Sequence, residues 1–164
     1  MTASKTPIPE GFHTVTASLI VSNAAAAIDF YKKALGATEI MRMAGPDGKI
    51  GHAEIKIGDS IIFLSDEFPG MGGKSPQAVG AYTGAIYLYV PDVDATFQQA
   101  VNAGAKTNMP VADMFWGDRC GQVVDPFGHA WSISTHTQDY TQEEIEEGAK
   151  AWQAQMAEMH KKTA

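Results

Sequence analysis

Two stretches of this 164-residue chain carry the same pattern of residues, and this repetition limits the folds that the chain can adopt. The segments SLIVSNAAAAIDFYKKALGA (18–37) and YLYVPDVDATFQQAVNAGA (87–105) each contain an apolar strand, a polar cap, an amphipathic helix and a final Gly-Ala pair. Val21 in the first segment and Val90 in the second are 69 positions apart. We therefore predict that the chain contains two copies of one structural unit.

Three further strand-like runs follow each predicted helix. TEIMRMA, GKIGHAEIKIG and SIIFLSD follow the first helix, and AKTNMPVAD, DRCGQVVD and HAWSIST follow the second. Gly48, Gly58 and the DPFG sequence at 125–128 mark turns between these runs. The repeated unit is therefore predicted to be a βαβββ module, and the fold class is α+β with two such modules.

The repeat divides the chain into five parts. We expect module 1 over residues 13–65 and module 2 over 82–136, with a Gly- and Pro-rich linker over 66–81 between them. Residues 1–12 are predicted to be a flexible lead-in, and residues 137–164 a C-terminal helical tail.

Alternation along the predicted strands gives each sheet two unlike faces. One face is aliphatic and suits packing beneath the helices. The other face combines hydroxyl, aromatic and small side chains, which suits the wall of a ligand-binding cup. The residues of this second face include Thr16, Ser18, Phe63, Ala85, Tyr87, Tyr89 and Ser132.

Charge, hydropathy and cysteine content argue against a nucleic-acid-binding, membrane-spanning or secreted protein. The net charge of −7 repels phosphate backbones, so we expect no nucleic-acid partner. No stretch is apolar enough to span a membrane, and the N-terminus lacks the apolar segment of a signal peptide. Cys120 is the single cysteine and cannot form an internal disulfide, which favours a cytoplasmic location.

Three motifs resemble the vicinal oxygen chelate superfamily, which includes glyoxalase I, extradiol dioxygenases, fosfomycin resistance enzymes and bleomycin resistance proteins. They are AIDFYKKALGA (27–37), PDGKIGHAEIKIGDS (46–60) and FWGDRCGQVVDPFGHAWSI (115–133), and they look like its PhnB-like branch. The resemblance extends over residues 13 to 136. It implies two modules whose sheets form a half-barrel, the glyoxalase/bleomycin resistance fold, and it implies a homodimer.

The resemblance also implies where a divalent metal would be held. Enzymes of this superfamily take their metal ligands from the first and last strand of each module. Here those positions carry residues that are not metal ligands, or are poor ones. They are Thr16, Phe63, Ala85 and Ser132. We therefore predict a metal-free protein without a cofactor.

An alternative keeps a divalent metal at a displaced site. His52 and Glu54 are expected to share a strand face, and His13 is the one attractive third ligand. Such a site would support a glyoxalase I-like lyase or a related isomerase. An ordinary polar pair on the sheet is the competing interpretation of His52 and Glu54.

Other polar residues allow two interpretations each. Arg119 suits either the bidentate grip of an anionic ligand or an ion pair with Asp118. A lone cysteine such as Cys120 is more often a small buried side chain than a nucleophile. His129, after the DPFG turn, is expected to bond to backbone.

The residues together predict a metal-free protein that binds a small molecule, similar to the drug-sequestering bleomycin resistance proteins. Its aromatic wall includes Trp116, because indole and phenol rings give large apolar contacts to a ligand. A purely structural dimer without a ligand is a third interpretation. No catalytic residue is predicted. The predicted ligand-binding residues are Thr16, Phe63, Tyr87, Trp116, Arg119 and Ser132.

Overall fold

A computed structural model, which describes residues 6–71 and 73–163, contains two βαβββ modules in the predicted order. The elements of module 1 are β1 (Ala17–Val21), α1 (Ala24–Leu35), β2 (Thr38–Ala44), β3 (Ile50–Ile57) and β4 (Ser60–Asp66). Those of module 2 are β5 (Ala85–Tyr89), α3 (Val93–Ala103), β6 (Lys106–Asp113), β7 (Asp118–Val124) and β8 (Ala130–His136). A short helix α2 (Pro76–Val79) lies between the modules, and α4 (Gln142–Thr163) follows them.

Each module forms one four-stranded sheet, and the two sheets have equivalent strand orders. The orders are β1-β4-β3-β2 and β5-β8-β7-β6. Ser18 lies opposite Phe63 in the first sheet, and Tyr87 lies opposite Ser132 in the second. Each residue of the second pair lies 69 positions after its counterpart in the first pair. The pairing of the strands therefore repeats with the same 69-residue spacing as the sequence. The sheets are open and not closed into a barrel. The two sheets with their helices confirm the predicted α+β fold class of two βαβββ modules.

The two long helices of the modules begin and end in the same way. The side chains of Asn23 and Asp92 cap them by accepting from the backbone N–H groups of Ala26 and Ala95. A glycine with positive φ follows each helix, at 65° in the first case and 116° in the second. These caps explain why the helices sit at equivalent places in the two modules.

Both helices contribute to one hydrophobic core that joins the modules. Tyr31 of α1 and Trp131 of β8 are fully buried there, and their ring centroids lie 5.3 Å apart. The hydroxyl of Tyr31 and the indole Nε1–H of Trp131 both donate to Asp125, at 2.6 and 3.0 Å. His129 Nε2 lies 3.1 Å from the Ile20 carbonyl of module 1, which confirms its predicted backbone bond.

A glycine in β7 lets the second helix pack closely on its sheet. A Cβ at position 121 would lie 2.8 Å from the Phe97 ring of α3 and 2.9 Å from Val111. The ring therefore occupies the space that any other residue at position 121 would fill.

The flexible lead-in predicted for residues 1–12 stays a prediction, and its residues 1–5 lie outside the described residues. The end of this segment contacts module 1. The Phe12 ring lies 5.8 Å from the Phe63 ring, and a Cβ on Gly11 would contact Ile61 at 3.8 Å. These contacts join residues about 50 positions apart in the chain, so local sequence patterns did not reveal them.

The C-terminal tail forms the predicted helix. Its first turn has a capping box in which the Thr141 hydroxyl and the Glu144 carboxylate each bond to the other residue's backbone N–H. Gly148 faces the β6–β7 loop, where a Cβ would lie 2.8 Å from that of Phe115. None of the helices in the described residues is long and apolar enough to cross a membrane.

Candidate functional site on the open faces of the sheets

Each sheet has one face that points away from the helices, and we call these the open faces of module 1 and module 2. Ser18, Glu54 and Phe63 stand side by side on β1, β3 and β4 of module 1. The equivalent places in module 2 hold Tyr87, Gln122 and Ser132 on β5, β7 and β8. The predicted ligand-binding residues Phe63, Tyr87 and Ser132 therefore lie on open faces.

The open face of module 1 forms a cavity beneath the N-terminal segment. The cavity has a volume of about 550 Å³, and its sheet side includes Thr16, Glu54 and Phe63. Its other side is formed by the N-terminal segment, whose lining residues are Pro7, Ile8, Pro9, Phe12, His13 and Thr14. Thr16 and Phe63, predicted from sequence to bind a ligand, thus line one cavity together.

The three residues of the predicted displaced metal site do not converge. His52 Nε2 and Glu54 Oε1 lie 3.3 Å apart, as expected for neighbours on one strand face. His13 instead turns its Nε2 toward Asp59, at 3.7 Å. Within residues 6–71 and 73–163, no group of three or more His, Cys, Asp or Glu side chains is arranged to hold a metal ion.

The open face of module 2 is organised around Asp118, which is 3% exposed. Its Oδ2 accepts from the hydroxyls of Tyr89 and Tyr87, at 2.9 and 3.3 Å, and from Trp116 Nε1 at 3.1 Å. Its Oδ1 lies 2.8 Å from His136 Nδ1. We call these five residues the Asp118 cluster.

The hydrogen bonds of the Asp118 cluster shift the pKa values of its members. Burial raises the pKa of Asp118, but the hydrogen bonds from His136, Tyr89, Trp116 and Tyr87 outweigh burial and hold it below the ordinary value. The pKa of His136 is raised by its hydrogen bonds to Asp139 and Asp118. The cluster therefore favours an ionised aspartate beside a protonated histidine.

Hydrogen bonds hold the hydroxyls of the two tyrosines in the cluster, while the tyrosine side chains are exposed to solvent. Tyr87 and Tyr89 are 46% and 60% exposed, and their ring centroids lie 5.2 Å apart with a 45° tilt. Tyr87 also accepts from the Ser134 hydroxyl at 2.8 Å. Desolvation, the largest cause, raises the pKa of Tyr87, so its phenol stays protonated. The result is a rigid aromatic surface.

Arg119, predicted either to grip an anionic ligand or to pair with Asp118, does not lie on the open face and is not paired with Asp118. Adjacent residues of a strand point to opposite sides, so Arg119 faces α3. Its guanidinium bonds to Asp94 through Nε at 2.7 Å and to Asp113 through Nη1 at 3.1 Å. These two carboxylates hold the positive charge away from the open face.

The remaining predicted residues of module 2 occupy distinct places. The Trp116 ring packs edge-on against Phe115, with centroids 4.9 Å apart. The Ser132 hydroxyl is buried and accepts from Gln122 Nε2 at 3.0 Å. Cys120 is 2% exposed, as expected for a small buried side chain, and its sulfur lies 3.6 Å from the Tyr87 hydroxyl.

Comparison with known proteins decides the family. The family model described as Glyoxalase/Bleomycin resistance protein/Dioxygenase superfamily matches residues 11–133, which contain both modules. The chain belongs to this superfamily. Membership agrees with the open four-stranded sheets and with the motifs that suggested the vicinal oxygen chelate superfamily.

Proteins from Mycobacterium tuberculosis and Escherichia coli resemble the chain in sequence. Uncharacterized protein Rv0887c of Mycobacterium tuberculosis is 47% identical over 131 residues, which span 78% of this chain and 77% of the relative. Protein YjdN of Escherichia coli is 30% identical over 100 residues, which span 61% of this chain and 65% of the relative.

Solved structures share the fold. TioX from Micromonospora sp. ML1 is 26% identical, with a TM-score of 0.61 and coverage of 76% of this chain and 98% of TioX. A PhnB protein from Bacillus cereus is 14% identical, with a TM-score of 0.60 and coverage of 75% and 99%. FosX of Listeria monocytogenes, a fosfomycin resistance protein complexed with Mn(II), is 18% identical, with a TM-score of 0.58 and coverage of 81% and 94%.

The metal that many members of the superfamily hold does not fit the residues of this chain. In the superfamily, the metal ligands are expected from the first and last strand of each module. The phenyl ring of Phe63 and the methyl group of Ala85 have no donor atom, and Thr16 and Ser132 carry neutral hydroxyls. The Ser132 hydroxyl is also occupied by Gln122. These four side chains therefore do not form a ligand set for a divalent metal.

The position of Asp118 at the centre of its cluster was not predicted, although the sequence carries a signal for it. The DPFG turn joins β7 to β8 and places Val124 opposite Ala130. Counting back from this pair along the two antiparallel strands places Asp118 opposite His136. This pairing predicts a carboxylate and an imidazole as neighbours on one face. The hydroxyls of Tyr87 and Tyr89 reach the same carboxylate from β5, across β8.

Proposed function

We propose that this chain is a metal-free protein that binds a small organic molecule on the open faces of its sheets. The observation that carries this proposal is the donor chemistry at the four positions where the superfamily is expected to hold its metal. Thr16, Phe63, Ala85 and Ser132 offer a cup lined with rings, methyl groups and hydroxyls. Such a surface suits an organic ligand better than a divalent cation.

The geometry of both open faces supports ligand binding. The cavity at Thr16 and Phe63, at about 550 Å³, has the size of a site for a small molecule. The aromatic surface of Tyr87 and Tyr89 is exposed in the single chain, although a carboxylate behind it holds both hydroxyls in place. Rings fixed in this way lose little conformational entropy when a ligand contacts them.

We further infer that a second copy of the chain completes the cup. The cavity at Phe63 is lined by residues of module 1 and the N-terminal segment, while the hydrogen bonds of the Asp118 cluster lie within module 2 and the segment that follows it. A homodimer allows module 1 of one copy to face module 2 of the other. The cytoplasmic location also remains a prediction.

Metal analysis tests the metal-free part of the proposal. Purified protein is incubated with Ni²⁺, Zn²⁺, Mn²⁺ or Fe²⁺, passed through a desalting column and analysed for metal by elemental analysis. We expect each metal well below one ion per chain. Stoichiometric retention of any one of them would overturn the proposal.

The His52→Ala variant separates the displaced-site alternative from adventitious binding. If His13, His52 and Glu54 held a metal for a lyase or isomerase, this variant would lose the metal and any turnover together. Because His13 pairs with Asp59 at 3.7 Å and the described residues contain no group of three such ligands, we expect wild type and His52→Ala to retain the same low amount. The His129→Ala variant is the control, because it removes an imidazole outside the predicted displaced site and should retain the same amount of metal as the wild type.

A further inference from the structure

We propose that the open face of module 2 binds an organic cation, which lies against the rings of Tyr87 and Tyr89 with Asp118 as the negative charge behind them. This inference rests on the proposed binding function and adds the chemical class of the ligand. Three features of the Asp118 cluster support this inference. They are the exposed tyrosine rings, the direction of the hydrogen bonds from the tyrosine hydroxyls, and the net negative charge around the rings.

The first feature is the placement of the rings. Tyr87 and Tyr89 project from the same side of β5, and the two residues are 46% and 60% exposed. Large aromatic side chains on a strand of a folded domain are usually covered, so two neighbours fixed in an open position indicate a contact surface. The planes of the two rings are tilted by 45° and do not form a flat stack.

The second feature is the direction of the hydrogen bonds. Both phenols donate to a carboxylate, at 2.9 Å from Tyr89 and 3.3 Å from Tyr87. Donation to an anion increases the electron density of a phenol ring, and a cation is attracted to the negative face of such a ring. The phenol oxygens also keep lone pairs that accept from an N–H or O–H group of a ligand.

The third feature is the charge around the rings. His136 lies between Asp118, at 2.8 Å from Nδ1, and Asp139, at 3.0 Å from Nε2. Two carboxylates thus surround one imidazole, and the group keeps a net negative charge even when His136 is protonated. Among the described residues, His136 is the one ion-pair partner of Asp118, because Arg119 is bound to Asp94 and Asp113 on the other side.

The whole chain reinforces this local charge. Its net charge of −7 attracts cations and repels anions over distances of about 10 Å at moderate salt. An anionic ligand would also lack its natural partner, since the arginine nearest in sequence to Asp118 does not reach the open face. The features therefore favour ammonium, quaternary ammonium or guanidinium groups that carry apolar substituents.

Three probes of nearly equal shape test the inference. Choline carries a positive charge, 3,3-dimethylbutan-1-ol is its neutral isostere, and 3,3-dimethylbutanoate carries a negative charge. Binding is followed by the NMR signal of the Trp116 indole Nε1–H, which is assigned with the Trp116→Phe variant. We expect choline to bind at least tenfold more tightly than the neutral probe, and the anion to bind most weakly.

Variants locate the site. Tyr89→Leu removes a ring and is expected to weaken choline binding roughly tenfold, whereas Tyr89→Phe keeps the ring and changes it less than about threefold. Tyr82→Leu removes an exposed tyrosine that does not contact Asp118 and should leave the affinity unchanged. Raising the salt concentration from 50 to 500 mM should weaken choline binding and leave the neutral probe unaffected.

Distinct outcomes separate this inference from the binding function. If the neutral or anionic probe binds as tightly as choline, the cation inference is overturned while metal-free binding stands. If no probe binds but the purified protein carries an organic molecule that is not a cation, the inference is again overturned and the binding function stands. If no probe binds and the protein instead retains stoichiometric metal, both are overturned.

Discussion

Two buried aspartates of module 2, seven residues apart, have similar partners and opposite surroundings. Asp125 accepts from the hydroxyl of Tyr31 and the indole of Trp131, and both of these rings are buried. Asp118 likewise accepts from a tyrosine hydroxyl and a tryptophan indole, but its tyrosines present their rings to solvent. One carboxylate joins the two modules, and the other fixes an exposed aromatic surface.

The difference follows from strand parity. Asp118 is on the open side of β7, with Cys120 and Gln122, whereas Asp125 lies at the turn after β7 and faces the core. Backbone N–H groups of Phe127 and His129 also donate to Asp125, so its four donors are all protein groups of the core and the turn. The contrast separates a carboxylate whose aromatic partners are buried from one whose tyrosine partners are accessible to a ligand.

The largest predicted effect is on the free energy of unfolding when each carboxylate is removed. Asp125→Ala leaves buried donors on Tyr31 and Trp131 without an acceptor, and we expect a loss of about 4 kcal/mol. Asp118→Ala exposes its donors to water, and we expect a loss of about 1 kcal/mol. Urea unfolding monitored by circular dichroism measures both. Equal losses would contradict the distinction between a core and a surface cluster.

A smaller effect is predicted for single hydroxyls. Tyr31→Phe removes the 2.6 Å bond to Asp125 inside the core and should lower the free energy of unfolding by about 1.5 kcal/mol. Tyr89→Phe removes a similar bond at the surface and should lower it by less than about 0.5 kcal/mol. If the surface variant is the less stable of the two in the same urea series, the comparison fails.

The fold and the Asp118 cluster differ in how far the sequence predicts them. The 69-residue repeat predicts the modules, and the elements TEIMRMA and SIIFLSD match β2 and β4 residue for residue. Sequence alone does not decide on which face Asp118 and Arg119 lie, because strand parity depends on where β7 begins. The packing of Phe12 on Phe63 was not predicted, since such contacts depend on tertiary structure and not on local periodicity.

The smallest predicted effect is a change in the titration of His136. Its pKa is raised by Asp139 and Asp118, so it should titrate above the ordinary value of about 6.5. The ion pairs therefore stabilise the fold fully below about pH 6.5, and this contribution is lost as the pH rises through the folded-state pKa. NMR titration of the imidazole Cε1–H measures it.

Two variants sharpen this prediction. Asp118→Asn and Asp139→Asn should each lower the pKa of His136, because each removes one of its anionic partners. Asp113→Asn is the control, since Asp113 pairs with Arg119 on the other side of the sheet. A pKa of His136 that is the same in all three variants would show that the imidazole does not pair with these carboxylates in solution.

Native mass spectrometry tests the central claim most directly, because one spectrum reports subunits, metal and organic ligand together. The protein is sprayed from ammonium acetate in the presence of choline and an equal concentration of Zn²⁺ or Mn²⁺. The proposal predicts a dimer that carries choline and no stoichiometric metal. A spectrum with one metal ion per chain and no bound choline would contradict it.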